Sequence, residues 1–232
     1  MIGRRIPIAW VAAATAIALV AGAALRGAIS EPASETTSTP TDGPTATRGV
    51  VRTSATGPKR WIDGIPSGFA HDEDGALAAS TTFITLGGSV VNAGPAAVRP
   101  VISAISASST AERRVAETVV ALDDLRSRLS GGTGPVVLVQ APVMVRIDDY
   151  SDERASITMW TTTVLARRGV ADPQSTWSTV TFELVWERGD WRLLSETSVA
   201  GPTPDQSSDA VPPSFDEFES ALRGSQAIGG ER

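Results

Sequence analysis

Cysteine is absent from the 232 residues, which excludes a disulfide framework, thiolate metal sites and a lipid-modified N-terminal cysteine. Histidine and tyrosine occur once each, as His71 and Tyr150, so the residue types that most often carry acid–base chemistry are nearly missing. Lysine also occurs once, as Lys59, and 20 basic residues stand against 26 acidic ones for a net charge of −6. A nucleic-acid ligand needs clustered Lys and Arg facing its phosphates, so this composition argues for no nucleic acid among the partners.

Charge is missing from the stretch between Ile6 and Leu25. At about 1.5 Å per residue, some 20 helical residues span a hydrocarbon core of about 30 Å. Arg4 and Arg5 precede the stretch and only Arg26 follows closely, which by the positive-inside rule keeps residues 1–5 cytoplasmic and exports the rest. The expectation is a single-pass membrane anchor over 6–25. The alternative is a signal peptide cut near Ala23, because Ala21-Gly22-Ala23 offers a small-x-small site and would release a secreted domain.

Residues 26–60 read as a disordered linker, since 30–49 are mostly Ser, Thr, Pro, Ala and Gly with no aromatic residue to bury. Residues 61–200 are roughly 140 in number, enough for one core. Residues 201–232 read as a Pro-rich linker and a short amphipathic segment built on Phe215, Phe218 and Leu222.

Within 61–200 the pattern changes once. Asp72 caps a helix in which Ala76, Ala79, Phe83, Ile84 and Leu86 share a face, and Gly87-Gly88 is expected to end it. A second helix carries Val115, Val119, Leu122, Leu125 and Leu129, with Ser109 and Glu112 as an expected capping box and Gly131 as its stop. The texture then turns to β over 136–147 and 154–170, where Ile157, Met159, Thr161 and Thr163 alternate with Thr158, Trp160 and Thr162. Strands over 176–186 and 191–199 flank Glu187-Arg188-Gly189-Asp190, a tight turn whose Gly supplies positive φ. Helices first and a meander last predict an α+β domain, with N-terminal helices packed on a curved antiparallel sheet of about four strands and Trp160, Trp177, Trp186 and Trp191 giving it bulk.

Two blocks carry a family resemblance. The run Phe182-Glu183-Leu184-Val185-Trp186-Glu187-Arg188-Gly189-Asp190-Trp191-Arg192-Leu193 is similar to the closing hairpin of the nuclear-transport-factor-like (cystatin-like) cone. Gly64-Ile65-Pro66-Ser67-Gly68-Phe69-Ala70-His71, with Gly75-Ala76-Leu77-Ala78-Ala79 after it, resembles a block in membrane-anchored actinobacterial proteins that follows a Ser/Thr/Pro linker. The resemblance implies an envelope protein similar to the single-pass assembly factors of conjugative, type IV secretion-like machines, with its sheet as the contact surface.

Candidate chemistry is sparse. His71 has no metal- or acid-bearing residue at a recognisable spacing, and beside Asp72 at a helix start it is expected to order the entry loop by hydrogen bonds. Asp72, Glu73 and Asp74 form one acidic group; Asp148, Asp149, Asp152 and Glu153, around Tyr150 in an expected turn, form another, and neither has the spacing of a twelve-residue calcium loop. Cone enzymes need inward acid–base side chains on strands, whereas Glu183 and Glu187 are expected near the exposed ends of the hairpin. No residue is therefore assigned a catalytic, cofactor-binding or metal-ligating role, and no cofactor is expected. The leading expectation is a non-enzymatic envelope protein making protein contacts with partners in a membrane complex, a homo-oligomer among the options. The alternatives are a domain binding a small apolar ligand and a cone-fold isomerase- or hydrolase-like enzyme.

Overall fold

A computed structural model describes residues 57–204 and 214–222. The anchor expected over 6–25 and most of both linkers lie outside the described residues. A short hairpin, β1 (Arg60–Ile62) and β2 (Ile65–Ser67), opens the domain. Four helices follow: α1 (Glu73–Thr85), α2 (Gly87–Ala93), α3 (Pro95–Ile105) and α4 (Ala111–Arg128). Four strands then run up and down as β3 (Thr133–Tyr150), β4 (Arg154–Arg168), β5 (Ala171–Glu187) and β6 (Asp190–Ala200), paired in that order and antiparallel throughout. A last helix, α5 (Phe215–Leu222), touches β4 and β5. The molecule is thus α+β with a four-stranded antiparallel sheet.

The period-two pattern of β4 sets the two faces of the sheet. Ile157, Met159, Thr161 and Thr163 are buried, opposite Phe182, Val180 and Ser178 of β5, because successive side chains of a strand point to opposite faces. Helix α1 crosses this inner face and touches all four strands, while α3 packs along α4. Asp72 accepts from Gly75 N at 2.7 Å, so α1 starts where its cap was expected. Together α1 and α2 cover Glu73–Ala93, long and apolar enough to cross a membrane by composition alone, yet mostly buried in the core.

Several sequence expectations need correction. The first helix does end at Thr85, just before Gly87-Gly88, but those glycines open a further helix, α2, that was not expected. Gly88 serves packing instead: a Cβ there would lie 2.2 Å from the Leu138 carbonyl oxygen, so only glycine lets α2 press onto β3. Helix α3 is not announced by its sequence either, since Gly94, Pro95 and Pro100 read as breakers. Pro95 stands in the first turn, where its missing N–H costs nothing, and Val98, Ile102 and Ile105 bury one face. The capping box on α4 does not form. Thr110 is the N-cap with no side-chain capping bond, and Glu112 turns outward to Arg99 at 2.7 Å.

The strands extend beyond the expected segments at most ends, and β4 stops at Arg168. The four Trp residues also divide. Trp191 is fully buried and Trp186 packs against the core, whereas Trp160 and Trp177 stack on each other at 4.5 Å on the outer face, as their odd-and-even phase on β4 and β5 requires. Trp160 Nε1 donates to the Pro202 carbonyl at 2.9 Å, which ties the segment after β6 to that face.

Candidate functional site

The β5–β6 turn organises one end of the molecule. Asp190 is 4% exposed, and its carboxylate accepts from Gly68 N at 2.9 Å and from Phe69 N and Trp191 N at 3.1 Å each. Trp191 Nε1 donates to the Ala70 carbonyl at 2.9 Å. The entry loop is thereby stitched to the last hairpin, and Gly68 takes the positive φ of 80° that the stitch requires. At the other end of the turn, the Glu187 carboxylate accepts from Ser108 N at 2.9 Å and from the Ser108 hydroxyl. These two bonds hold the Glu187 carboxyl below its ordinary range. Glu187 thus serves, from a distant strand, the loop that leads into α4.

Next to this turn lies a groove of about 570 Å³. Ile62, Ile65 and Pro66 of the β1–β2 hairpin make one wall, Ala104 and Ser106 at the end of α3 contribute to the lining, and Glu187, Arg188 and Arg192 make the other wall. Ile62 is 58% exposed, so the hairpin offers apolar surface to the groove. The charges are mostly engaged within the protein. Glu112 is held by Arg99, Arg192 donates to the Ala104 carbonyl and sits 3.6 Å from Asp190, and Glu187 is held by Ser108. Arg188 is different. Its side chain is 77% exposed, its one ion contact among the described residues is a loose 3.7 Å approach to Glu187, and its backbone has φ 57°.

Behind the groove lies a buried polar pair that the sequence did not disclose. Arg114 of α4 is 1% exposed and donates through Nε to Ser106 Oγ at 3.0 Å. Glu196 of β6 is 5% exposed and its Oε2 has no hydrogen-bond partner. Burial pushes the Glu196 carboxyl well above 4.5 against the opposing pull of Arg114, and burial lowers the Arg114 guanidinium. An irregularity between Glu183 and Leu184 shifts the register of β6, so Glu196 faces inward opposite Phe182. Strand alternation alone gives no signal for such a shift.

The predicted candidates fall in several places. His71 stacks on Trp186 at 3.9 Å and shares a hydrogen bond with the Asp152 carbonyl, which orders the entry loop against the β3–β4 turn. Asp72 is the α1 cap. Asp148 stands on the outer side, where burial raises its carboxyl but hydrogen bonds from Thr158 and Arg146 prevail and lower it. Among the described residues, no three His, Cys, Asp or Glu side chains come together as a metal site would need. Glu183 is not at a hairpin end; it lies mid-strand and accepts from Ser156 at 2.7 Å, whereas Glu187 does flank the turn.

The fold and this end of the molecule define an α+β domain with a groove between its opening hairpin and its closing turn. The chain belongs to the family described as a domain of unknown function, DUF8175, whose model matches residues 20–212. No curated protein matches the chain. Among solved structures, the intermembrane space region of the chloroplast protein ARC6 is similar at 14% identity over 37% of this chain and 71% of that one. Its TM-score is 0.26, a likeness too slight to define a shared fold.

Proposed function

We propose that this is a non-enzymatic, single-pass envelope protein, anchored by residues 6–25 with its N-terminus cytoplasmic, whose exported domain makes protein–protein contacts. In this reading the domain is a nuclear-transport-factor-like cone and the protein a structural component of a conjugation or secretion apparatus. The observation that carries the contact role is the groove at the β5–β6 turn, lined by exposed Ile62 and held in place by Asp190 and Glu187. A preorganised groove that sets the apolar side chains of Ile62, Ile65 and Pro66 among polar and charged groups suits a protein partner. The groove is favoured over the outer sheet face as the contact surface because Trp160 there is already tied to Pro202.

The test is site-specific photocrosslinking from position 62 of the full chain in intact cells, followed by isolation of membranes. A crosslinked membrane ATPase or channel subunit, lost on Ile62→Asp, is the expected result. Crosslinks confined to abundant soluble proteins and unchanged by Ile62→Asp would overturn the contact role. Extraction of the full-length chain by alkaline carbonate would overturn the anchor.

A further inference from the structure

We infer that the groove takes an extended peptide segment of a protein partner and that Arg188 recognises a carboxylate on that segment. The inference rests on the protein-contact reading above and deepens it by giving the partner's chemistry.

The argument begins with the turn. Of its four residues, Glu187 holds Ser108, Gly189 supplies a φ of 76°, and Asp190 holds Gly68, Phe69 and Trp191. Arg188 makes no comparable internal contact among the described residues, yet it adopts a left-handed backbone that a branched or long side chain enters only at a cost. A glycine or asparagine would relieve that cost at the same position. What arginine adds there is a guanidinium that is 77% exposed on the wall of the groove.

The neighbouring charges decide what it can meet. Glu187, the nearest carboxylate, already accepts two bonds from Ser108, and Glu112 is paired with Arg99. Arg192 is spent on Ala104 and Asp190. Arg188, held only loosely at 3.7 Å by Glu187, therefore presents the groove's most exposed positive charge, 77% against 19% for Arg192, and its planar fork of donors matches a carboxylate in a bidentate fashion. Ile62, Ile65 and Pro66 supply apolar contact on the hairpin side. Asp63, in the β1–β2 turn, places the opposite sign on that side and so orients the carboxylate toward the β5–β6 end. The occupant that fits is an extended peptide with an apolar side chain close to an Asp, a Glu or a terminal carboxylate.

The experiment uses the full chain in mild detergent on an array of octapeptides. Each carries a Leu-Val pair flanked in turn by Asp, Asn or Lys. Asp peptides should give about five-fold more signal than their Lys counterparts, a rim charge effect of ordinary size. Arg188→Glu should reverse that order and Arg188→Gly should level it, with circular dichroism melts confirming that both variants fold. Equal signal for Asp and Lys peptides, unchanged by Arg188→Glu but abolished by Ile62→Asp, would overturn the carboxylate inference and leave the groove as a contact site. No signal from any peptide above the Ile62→Asp background would overturn both. Sedimentation showing a dimer that Arg188→Glu dissolves would also overturn it, by assigning the groove to a second copy.

Discussion

The two tryptophan pairs make an instructive comparison, because they sit on neighbouring strands and differ only in phase. Trp186 and Trp191 face the helices, meet edge to face at 5.3 Å, and carry His71 stacked on one and Tyr150 tilted against the other. Trp160 and Trp177 face outward and rest on each other beside Pro202. The first pair stands at the closing turn, where the entry loop, α3 and α4 converge; the second lies among threonines such as Thr158, Thr179 and Thr181. A strand displaced by one residue exchanges these roles entirely, so the alternation of β4 and β5 decides which end of the domain is a rigid node.

The largest expected effect tests this difference directly. Trp191→Ala should cost about 3–5 kcal/mol, the range for emptying a buried aromatic site, and Trp160→Ala about 1 kcal/mol, measured by denaturant unfolding. Equal losses would mean that the outer pair is as much a part of the core as the inner one. Next comes Gly88→Ala, which forces a methyl against the Leu138 carbonyl and should cost about 1–3 kcal/mol. A neutral result there would show that α2 can lift from β3 without consequence for the inner face.

A third prediction concerns Glu196. Its folded carboxyl is raised above the ordinary 4.5, chiefly by burial, so the folded chain binds the extra proton. This contribution is fully present below the unfolded value and is lost as pH rises from there through the raised folded value. Above about pH 4.5 the loss has a slope of at most about 1.4 kcal/mol per pH unit. Glu196→Gln should flatten that part of the stability–pH curve and make the protein more stable than the parent near pH 7. An identical pH dependence in both would place an ionised Glu196 beside Arg114.

The smallest effect is expected at the turn. Arg188→Gly should raise stability by about 0.5–1 kcal/mol through relief of the left-handed backbone, while Gly189→Ala should lower it. A loss on Arg188→Gly would show that the arginine holds the turn together.

Much of this architecture was legible beforehand, for identifiable reasons. Asp72 followed by acidic residues marks a helix start through local hydrogen bonding, and the Leu122, Leu125 and Leu129 stripe marks α4 through its period. Inward-pointing Ile157, Met159, Thr161 and Thr163 follow from alternation alone. What misled was local chemistry with two meanings. Gly88 breaks a helix in isolation, but here it permits close packing of α2 on β3. The expected capping box failed because the helix begins one residue later, with Thr110 as its N-cap, which leaves Glu112 out of capping register and paired with Arg99. Of the site, the sequence disclosed the turn and the entry loop as separate blocks. It did not disclose that Glu187 reaches Ser108, or that Asp190 reaches Gly68 and Phe69.

By itself the sequence determined that helices precede a four-stranded meander, the faces of β4 and a tight turn at 187–190, because those depend on neighbours within a few residues. Only the tertiary structure decided which charges are held within the fold and which stay exposed. Glu187, Asp190, Arg192 and Glu112 find their partners across the fold, at separations in sequence that no spacing rule spans, and Arg188 stands out because they do.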